Sequence, residues 1–389
     1  MLYKILVVDD MVVNRKLMKK VLKNSVEEVY FYEAEDGFQA IDLVREKDID
    51  LVILDLMMPG KDGYQVLREI KGNPETKEIP VIVNSAVDDM TSIKETLSLG
   101  ALDYFTKPIT ADQMKVIIPL KVRNALKYYE QRKELIKVNE KMLQELKIAN
   151  VLQKALITEK GEMKKVDVSS RYFPSSQIGG DFHDCIEDQD KTWFIIADVT
   201  GHGVAAAMVS SMVKVIFNHV IKEAGTPKEV LEKINTTFYN MMTDNRHLCF
   251  SAFVGLIEEN QLIYSNAGHP YAVLYRKSSD QMDLLEQNGF LIGVFEDTNY
   301  EDVATEIQRG DYIITYTDGL YETKVGNGAK ENSYETVYQV LRDHKELLDE
   351  SKDRFIQTVI QDFGKFENHD FEDDVAMMVI EITGETFQP

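Results

Sequence analysis

The first 121 residues alternate short β-branched apolar runs with amphipathic stretches. Runs at 4–8, 28–33, 50–54, 80–84 and 102–105 read as strands. Between them, near 12–23, 37–47, 62–71 and 88–98, apolar residues recur with the spacing of a helix face. Five strand–helix units in succession imply a parallel sheet covered on both faces. The uninterrupted run LVIL at 51–54 suits a strand buried at the centre of that sheet.

From about 111 to 160 the pattern changes. Glycine disappears, and Lys, Glu, Leu and Gln dominate. Tyr128, Leu135, Met142, Ala149 and Leu156 recur every seven residues, with Val138, Leu146 and Leu152 between them. That spacing predicts an amphipathic helix with an imperfect coiled-coil seam. Pro119 stands where it would kink the start of the helix. No neighbouring helix in the sequence offers a partner, so the seam is expected to pair with a second copy.

After Gly161 the rhythm changes again. Residues 165–385 alternate β runs (WFIIAD, FSAFVGLI, QLIYSNAG, YIITYTDG, VAMMVIEI) with helical stretches near 203–223, 227–242 and 334–362. Strands that come in adjacent pairs, as at 249–257 and 261–266, fit an antiparallel α+β domain. The expected domains are therefore 1–121, a helical linker 122–164, and 165–385.

Composition narrows the field. Hydrophobic residues make up 44% of the 389, the share of a chain with real cores. A net charge of −22 disfavours nucleic-acid binding, which leaves a basic footprint. No apolar run reaches the ~18–20 residues of a membrane span. The start, MLYKILVVDD, is not a signal peptide, because its short apolar stretch ends in two aspartates. Cys185 and Cys249 suit neither a disulfide framework nor a zinc site. The expected location is the cytoplasm.

Asp9 and Asp10 end the first expected strand and Asp55 the third; Ser85 follows the fourth and Lys107 the fifth. In an open parallel sheet, functional groups gather beyond the carboxyl ends of the strands. Three carboxylates held there repel unless a cation neutralises them, and magnesium suits an oxygen-only site. A carboxylate beside a metal and a lysine can attack a phosphoryl group and hold it as an aspartyl phosphate. VVDD, DLMMPGKDG, NSA and DYFTKP, over about residues 3–121, resemble the signature of two-component receiver domains. The resemblance implies a flavodoxin-like doubly wound sheet with Asp55 as phosphoacceptor. It also implies Mg²⁺ held by Asp9, Asp10, Asp55 and the Met57 carbonyl. Lys107 would contact the phosphoryl group, and Ser85 and Tyr104 would form the switch pair. The phosphodonor would be a sensor histidine kinase or a phosphotransfer protein.

In the last domain, aspartates recur in IGGDFHD (Asp181, Asp184), IADVTGHG (Asp198), YTDGLYET (Asp318) and EDDVAMMVI (Asp373, Asp374). A single aspartate beside a glycine is usually a turn, and spacing alone does not show that these converge. With the approach segment ANVLQKAL, RYFPSSQIGGDFHD and NAGHP, they resemble the SpoIIE-type branch of metal-dependent type 2C (PPM) protein phosphatases, over about residues 149–383. The resemblance implies a β-sandwich flanked by helices and two Mn²⁺ or Mg²⁺ ions. Asp198 would bridge the ions, joined by the Val199 carbonyl, Asp318, Asp373 and Asp181, with Asp374 as an alternative at the DD pair. Asp198 and Asp318 are the expected catalytic centre. The implied substrate is a phosphorylated anti-sigma-factor antagonist in a partner-switching pathway. Ser175 and His183 depart from the pattern, where alanine and an aromatic are usual, and neither is expected to ligate metal. His202 and His269 are candidate general acids, although a histidine in a motif braces a turn as readily.

The expected activity is thus a response regulator whose receiver controls a serine/threonine phosphatase. Three rivals fit less of the sequence. A catalytically inactive phosphatase-like binding module leaves the retained aspartates without a purpose. A nucleotide cyclase rests only on the letters GGD of GGDFHD. A DNA-binding regulator meets the acidic charge and an output region far longer than a helix-turn-helix.

Overall fold

The computed structural model describes residues 2–384 apart from 24, 25, 27, 86–89, 156–159, 243–247, 286–288, 322–333 and 364–372. Two compact units emerge, Met1–Met142 and Leu143–Pro389.

In the first unit the expected alternation is present: β1 (Tyr3–Val8), α1 (Val12–Lys23), β2 (Val29–Ala34), α2 (Gly37–Glu46), β3 (Leu51–Asp55), α3 (Gly63–Gly72), β4 (Val81–Ser85), α4 (Met90–Ser98) and β5 (Asp103–Thr106). All pairings are parallel, and the strand order is β2-β1-β3-β4-β5. This is the flavodoxin-like order, in which crossovers cover both faces. Successive side chains of a strand point to opposite faces. Accordingly Leu6 and Val8 of β1 enter a core with Val66 and Ile70 of α3, while Ile5 and Val7 enter a second core with Met18 and Leu22 of α1.

Helix α5 (Ile118–Lys154) follows a single π-turn at Gln113–Ile117. Pro119 lies in the first turn of α5, where its missing N–H takes no intrahelical bond from the helix. Ile118, Val122, Ala125, Leu126 and Tyr129 are buried in the first unit's cores. Farther along, Tyr128, Leu135 and Met142 of the seven-residue recurrence are 48%, 69% and 60% exposed. Leu156 lies outside the described residues.

The second unit is built from antiparallel strands. They are β6 (Lys160–Glu162), β7 (Val166–Phe173), β8 (Phe182–Asp188), β9 (Lys191–Val199), β10 (Phe250–Glu258), β11 (Gln261–Ala267), β12 (Ala272–Arg276), β13 (Gln281–Leu285), β14 (Val303–Glu306), β15 (Tyr312–Tyr316) and β16 (Val375–Ile382). One sheet runs β14-β11-β10-β9-β8 and the other β13-β12-β15-β16-β7-β6. Phe194, Ile196 and Phe253 of the first meet Val168, Met378 and Ile380 of the second in the core between them. Gly255 lies opposite Phe194, whose ring occupies the space a Cβ would need. Helices α6 (Val204–Val220) and α7 (Pro227–Met241) cover the outer face of the first sheet. Helices α8 (Tyr334–Asp343), α9 (Leu347–Glu350) and α10 (Lys352–Asp362) cover the other. The helical stretch expected near 334–362 is thus three helices. Ser351 ends the run by capping α10, its hydroxyl accepting from the Arg354 N–H. Among the described residues no helix is long and apolar enough to cross a membrane.

Candidate functional site

The ends of β1, β3 and β5 bring Asp9, Asp10, Asp55 and Lys107 together. Carboxylate oxygens of Asp9, Asp10 and Asp55 all lie within 4.8 Å of one another. Lys107 Nζ donates to Asp55 Oδ2 at 2.7 Å and to Asp9 Oδ2 at 2.9 Å. Asp9 is fixed on its other oxygen, which accepts from the Met11 N–H and from Asn14 Nδ2, each at 2.9 Å. Asp55 and Asp9 are buried and Asp10 is exposed. Burial pushes the Asp55 carboxyl above the ordinary range against the pull of Lys107, and the Asp9 charge adds to the rise. Lys107 is itself half-buried, yet its bonds to Asp55 and Asp9 hold its ammonium above the usual lysine range. Gly63 lets α3 start against this strand end, since a Cβ there would lie 2.2 Å from the Asp55 carbonyl oxygen. Met57 gives its N–H to Asp55 Oδ1 at 3.4 Å. Tyr104 is half-buried against the core, and Ser85 ends β4 with a side chain outside the described part. Three carboxylates facing one lysine leave an excess of negative charge on oxygen donors, which fits a divalent cation.

In the second unit Asp181 precedes β8, Asp198 is next to last in β9, Asp318 opens a 3-10 turn after β15, and Asp373 and Asp374 precede β16. Asp198 lies within hydrogen-bond reach of both Asp181 and Asp318, and feels the charges of Asp373 and Asp374. Burial and the neighbouring Asp198 push Asp318 up to about 7. Burial, then Asp198, push Asp181 well above its ordinary range, and burial raises Asp198 as well. Asp181 Oδ2 accepts from Thr317 Oγ1 at 2.7 Å, whereas its buried Oδ1 has no donor among the described residues. A buried carboxylate oxygen without a donor, inside a row of like charges, fits a divalent cation as its missing partner. Close backbone approach builds the row. A Cβ on Gly319 would lie 1.9 Å from the Asp374 carbonyl oxygen, and one on Gly180 would lie 2.8 Å from that of Val199. Beside it opens a cleft of about 370 Å³ lined by Asp198, Asp318, Thr200, Ser251, Tyr271 and Tyr334 among others.

The two aspartates of the DD pair have different surroundings. Asp374 is buried and fully engaged: Oδ1 accepts from the N–H and hydroxyl of Ser175 at 2.7 and 3.0 Å, and Oδ2 accepts from the Gly180 N–H at 2.5 Å. Asp373 Oδ1 accepts only the Asp374 N–H, at 2.8 Å, among the described residues. Both departures from the family pattern have partners. Ser175 braces Asp374, and His183 Nε2 meets Ser170 Oγ at 2.7 Å inside the sandwich. Asp184 is taken up by Lys214 of α6 at 2.6 Å. Thr317 and Gln153, which also reach this region, were not singled out from the sequence. The only signal for Thr317 is its place directly before Asp318.

His269 is fully buried, held by the Ser251 hydroxyl at 2.7 Å and by the Tyr316 backbone. Its backbone N–H donates to Asn266 Oδ1 at 2.7 Å. Burial pushes the imidazole down to about 3, and the bonds His269 makes to Ser251 and Asn266 brace the NAGHP turn. His202 is exposed between Gly201 and Gly203, both at positive φ (+89° and +84°). The sign of the His269 effect on stability comes from linkage. Below pH 6.5 the unfolded chain takes up a proton that the folded chain refuses. Its stabilisation is therefore full above pH 6.5 and is lost as pH falls toward 3. Urea denaturation in chelator at pH 7 and pH 5 is expected to show a smaller loss of stability for His269→Gln than for the unaltered chain. Equal losses would show that His269 is not held neutral.

The comparisons with known proteins agree with this geometry. The family Stage II sporulation protein E (SpoIIE) matches residues 188–383, and the Response regulator receiver domain matches residues 5–119. The chain is similar to Phosphoserine phosphatase RsbU of Bacillus subtilis (strain 168), 23% identical over 253 residues, 65% of this chain and 74% of that protein. It is similar to Sporulation initiation phosphotransferase F of the same organism, 38% identical over 122 residues, 30% of this chain and 95% of that protein. In fold it resembles the solved SiaA-PP2C domain of Pseudomonas aeruginosa, with a TM-score of 0.53 and 20% identity, covering 63% of this chain and 98% of that one. Two units, one a parallel sheet ending in an aspartate–lysine cluster and the other a sandwich ending in a row of aspartates, thus have a common explanation: the chain belongs to the SpoIIE family, a serine/threonine phosphatase of the metal-dependent PP2C type preceded by a response regulator receiver domain.

Proposed function

We propose that phosphorylation of Asp55 controls hydrolysis of phosphoserine or phosphothreonine on a protein substrate by the second unit. The observation that carries the reading is Asp198, half-buried and central in a row of carboxylates at the wall of a cleft. In the receiver, Asp55 is the phosphoacceptor, and Asp9, Asp10 and the Met57 carbonyl hold Mg²⁺ with it. Lys107, already bonded to Asp55, is positioned to track the phosphoryl group, and Ser85 with Tyr104 reports it. In the phosphatase, Asp198, Asp181, the Val199 carbonyl, Asp318 and Asp373 would hold two Mn²⁺ or Mg²⁺ ions. Asp374 is assigned to bracing the Ser175–Gly180 loop, because its oxygens are already engaged. When bound, such ions acidify a water and offset charge on the phosphoryl oxygens. The chain's own residues shape the site. Thr317 orients Asp181, Gly319 brings Asp318 against the DD pair, and Tyr271, Leu291 and Tyr334 give a substrate peptide apolar walls.

The proposed substrate is a phosphorylated anti-sigma-factor antagonist in a partner-switching pathway, supported by the family. The donor is a sensor histidine kinase or phosphotransfer protein, supported by the receiver. Functional boundaries are placed at 1–121, 122–164 and 165–385, with the chain working in the cytoplasm. The linker pairs with that of a second copy. Supporting this are the exposed Leu135 and Met142, and an apolar groove of about 530 Å³ where Leu152 joins Met208 and Val215 of α6. Receiver phosphorylation then favours pairing and activation.

Outer-shell partners of a metal cost ~10–100-fold when removed. Asp198→Asn or Asp318→Asn is therefore expected to lower Mn²⁺-dependent hydrolysis of a phosphoserine peptide at least that far, with labelling of Asp55 by a small phosphodonor retained. Asp55→Asn is expected to do the reverse, losing labelling and donor response while keeping basal turnover. Normal turnover by Asp198→Asn would remove the site assignment.

Coupling through the helix makes a geometric claim. Two residues inserted near Lys141 rotate the downstream part of α5 by roughly 200° relative to the upstream part. Seven return it to within about 20°. The first insertion is expected to uncouple turnover from phosphodonor and the second to preserve the response. Equal activation of both and of the unaltered chain would make the helix a passive tether.

A further inference from the structure

Beside the cleft, the segment 289–296 shows apolar side chains to water from a backbone that is held in place. Phe290, Val294 and Phe295 are 67%, 44% and 52% exposed. The rings of Phe290 and Phe295 meet edge to face, with centroids 5.7 Å apart. Single exposed apolar side chains are ordinary, whereas a group of them beside a cleft marks a place of contact.

The backbone beneath these rings is fastened from two sides. The Ile292 N–H donates to the Phe250 carbonyl oxygen at 2.9 Å, and the Phe250 N–H donates to that of Ile292 at 3.1 Å. Asn235 of α7 is 1% exposed and directs its whole amide at the same segment. Nδ2 donates to the carbonyl oxygens of Phe295 and Glu296 at 3.0 and 3.1 Å, and Oδ1 accepts from the Gly293 N–H at 2.9 Å. Gly293 has a φ of +89°, and a Cβ there would lie 2.7 Å from the Phe238 ring. Rings carried on a backbone fixed in advance lose little freedom when a partner covers them.

The segment is also tied to the phosphatase site. Phe250 pairs on its other side with Val199, the residue after Asp198. Neighbouring strands lie about 4.8 Å apart, which puts Ile292 about 10 Å from Val199. Leu291 lines the cleft together with Asp198 and Asp318. The apolar wall of the cleft therefore continues along the chain from Leu291 to Phe290, and through the ring contact to Phe295. Beyond Phe295, Glu296 and Asp297 are exposed. With the carboxylates of the cleft at the other end, they oppose an acidic flank on a substrate and leave an apolar one unopposed.

We propose that Phe290 and Phe295 form a docking surface for bulky apolar residues that flank the phosphoserine of the protein substrate, and so select which phosphoproteins are dephosphorylated. The proposal rests on reading the cleft beside Asp198 as the phosphatase site. The two rings touch the substrate away from the reacting phosphorus. Contact of that kind is as strong in the bound substrate as in the transition state, so it acts on KM and leaves kcat alone. A phosphoester too small to reach the rings is unaffected by them.

The test uses the full chain with Mn²⁺ and para-nitrophenyl phosphate beside a pair of synthetic phosphoserine peptides. The peptides have equal length and charge, one with leucines and one with serines on both sides of the phosphoserine. For the unaltered chain, kcat/KM is expected to be about tenfold higher on the leucine peptide. Phe290→Ser combined with Phe295→Ser is expected to remove that preference through KM. Its kcat on the leucine peptide, and its kcat/KM on para-nitrophenyl phosphate, are expected to stay within about twofold of the unaltered chain. Each single substitution is expected to give part of the loss. Both side chains are more than half exposed, so the altered chains are expected to keep their thermal transition. Equal kcat/KM on the two peptides for the unaltered chain, or a leucine preference that survives in the double variant, overturns the proposal. Loss of self-association in sedimentation with the leucine preference kept would make the patch a contact between copies, and also overturns it. So does an equal fall on para-nitrophenyl phosphate and on the leucine peptide, since the rings would then support the site and not the substrate. An unaltered chain without Mn²⁺-dependent hydrolysis of para-nitrophenyl phosphate removes the phosphatase site, and the docking surface with it.

Discussion

Like charges held together away from water repel, and both units of this chain gather such charges at the ends of their strands. The two units meet the repulsion differently. In the receiver, Lys107 bridges Asp55 and Asp9, so part of the counter-charge belongs to the fold. In the phosphatase, Asp181, Asp198, Asp318 and Asp373 have no lysine or arginine paired with them among the described residues, and burial with mutual repulsion lifts Asp318 to about 7. The receiver site is thus nearly assembled by its own residues. The phosphatase site depends on a cation from outside, and whatever moves one of its carboxylates changes how well that cation is held.

The sandwich makes such a row possible by letting backbones approach. Gly319 admits the Asp374 carbonyl and Gly180 admits that of Val199, which brings three strand ends and one loop to the same place. Thr317 ties this convergence together, accepting from the Ala376 N–H at 2.8 Å while donating to Asp181. The loop from Ser175 to Gly180 leads Asp181 to the start of β8. It is held by side chains alone, Asp374 on one side and Gln153 on the other.

The receiver was legible because its chemistry is local to the carboxyl ends of a parallel sheet, where strand patterns and motif residues coincide. Its strand order, helix starts and aspartate–lysine cluster arise from short stretches of sequence. The phosphatase was legible only through family likeness. Its aspartates lie far apart in sequence, and antiparallel strands carry no rule about which ends meet. The hairpin 272–285 has no strong alternation, and one helical stretch is three helices, the last of them begun by a serine cap. Periodicity cannot reveal which aspartate of a DD pair has free oxygens. Neither can it reveal that His269 is held neutral in the core, or that a glutamine in a charged helix faces inward. Those properties arise from partners distant in the chain.

The claim on which the rest stands is that the phosphatase carboxylates are completed by a cation. The direct measurement is thermal unfolding of the full chain over increasing Mn²⁺, with Asp198→Asn beside it. A ligand that binds only the folded state stabilises by RT ln(1 + [L]/Kd), about 2.7 kcal/mol at a hundredfold excess over Kd. The transition of the second unit is expected to climb with Mn²⁺ in the unaltered chain and to stay nearly flat in Asp198→Asn. A transition that ignores Mn²⁺ in both proteins, or climbs equally in both, would contradict a cation site built on Asp198.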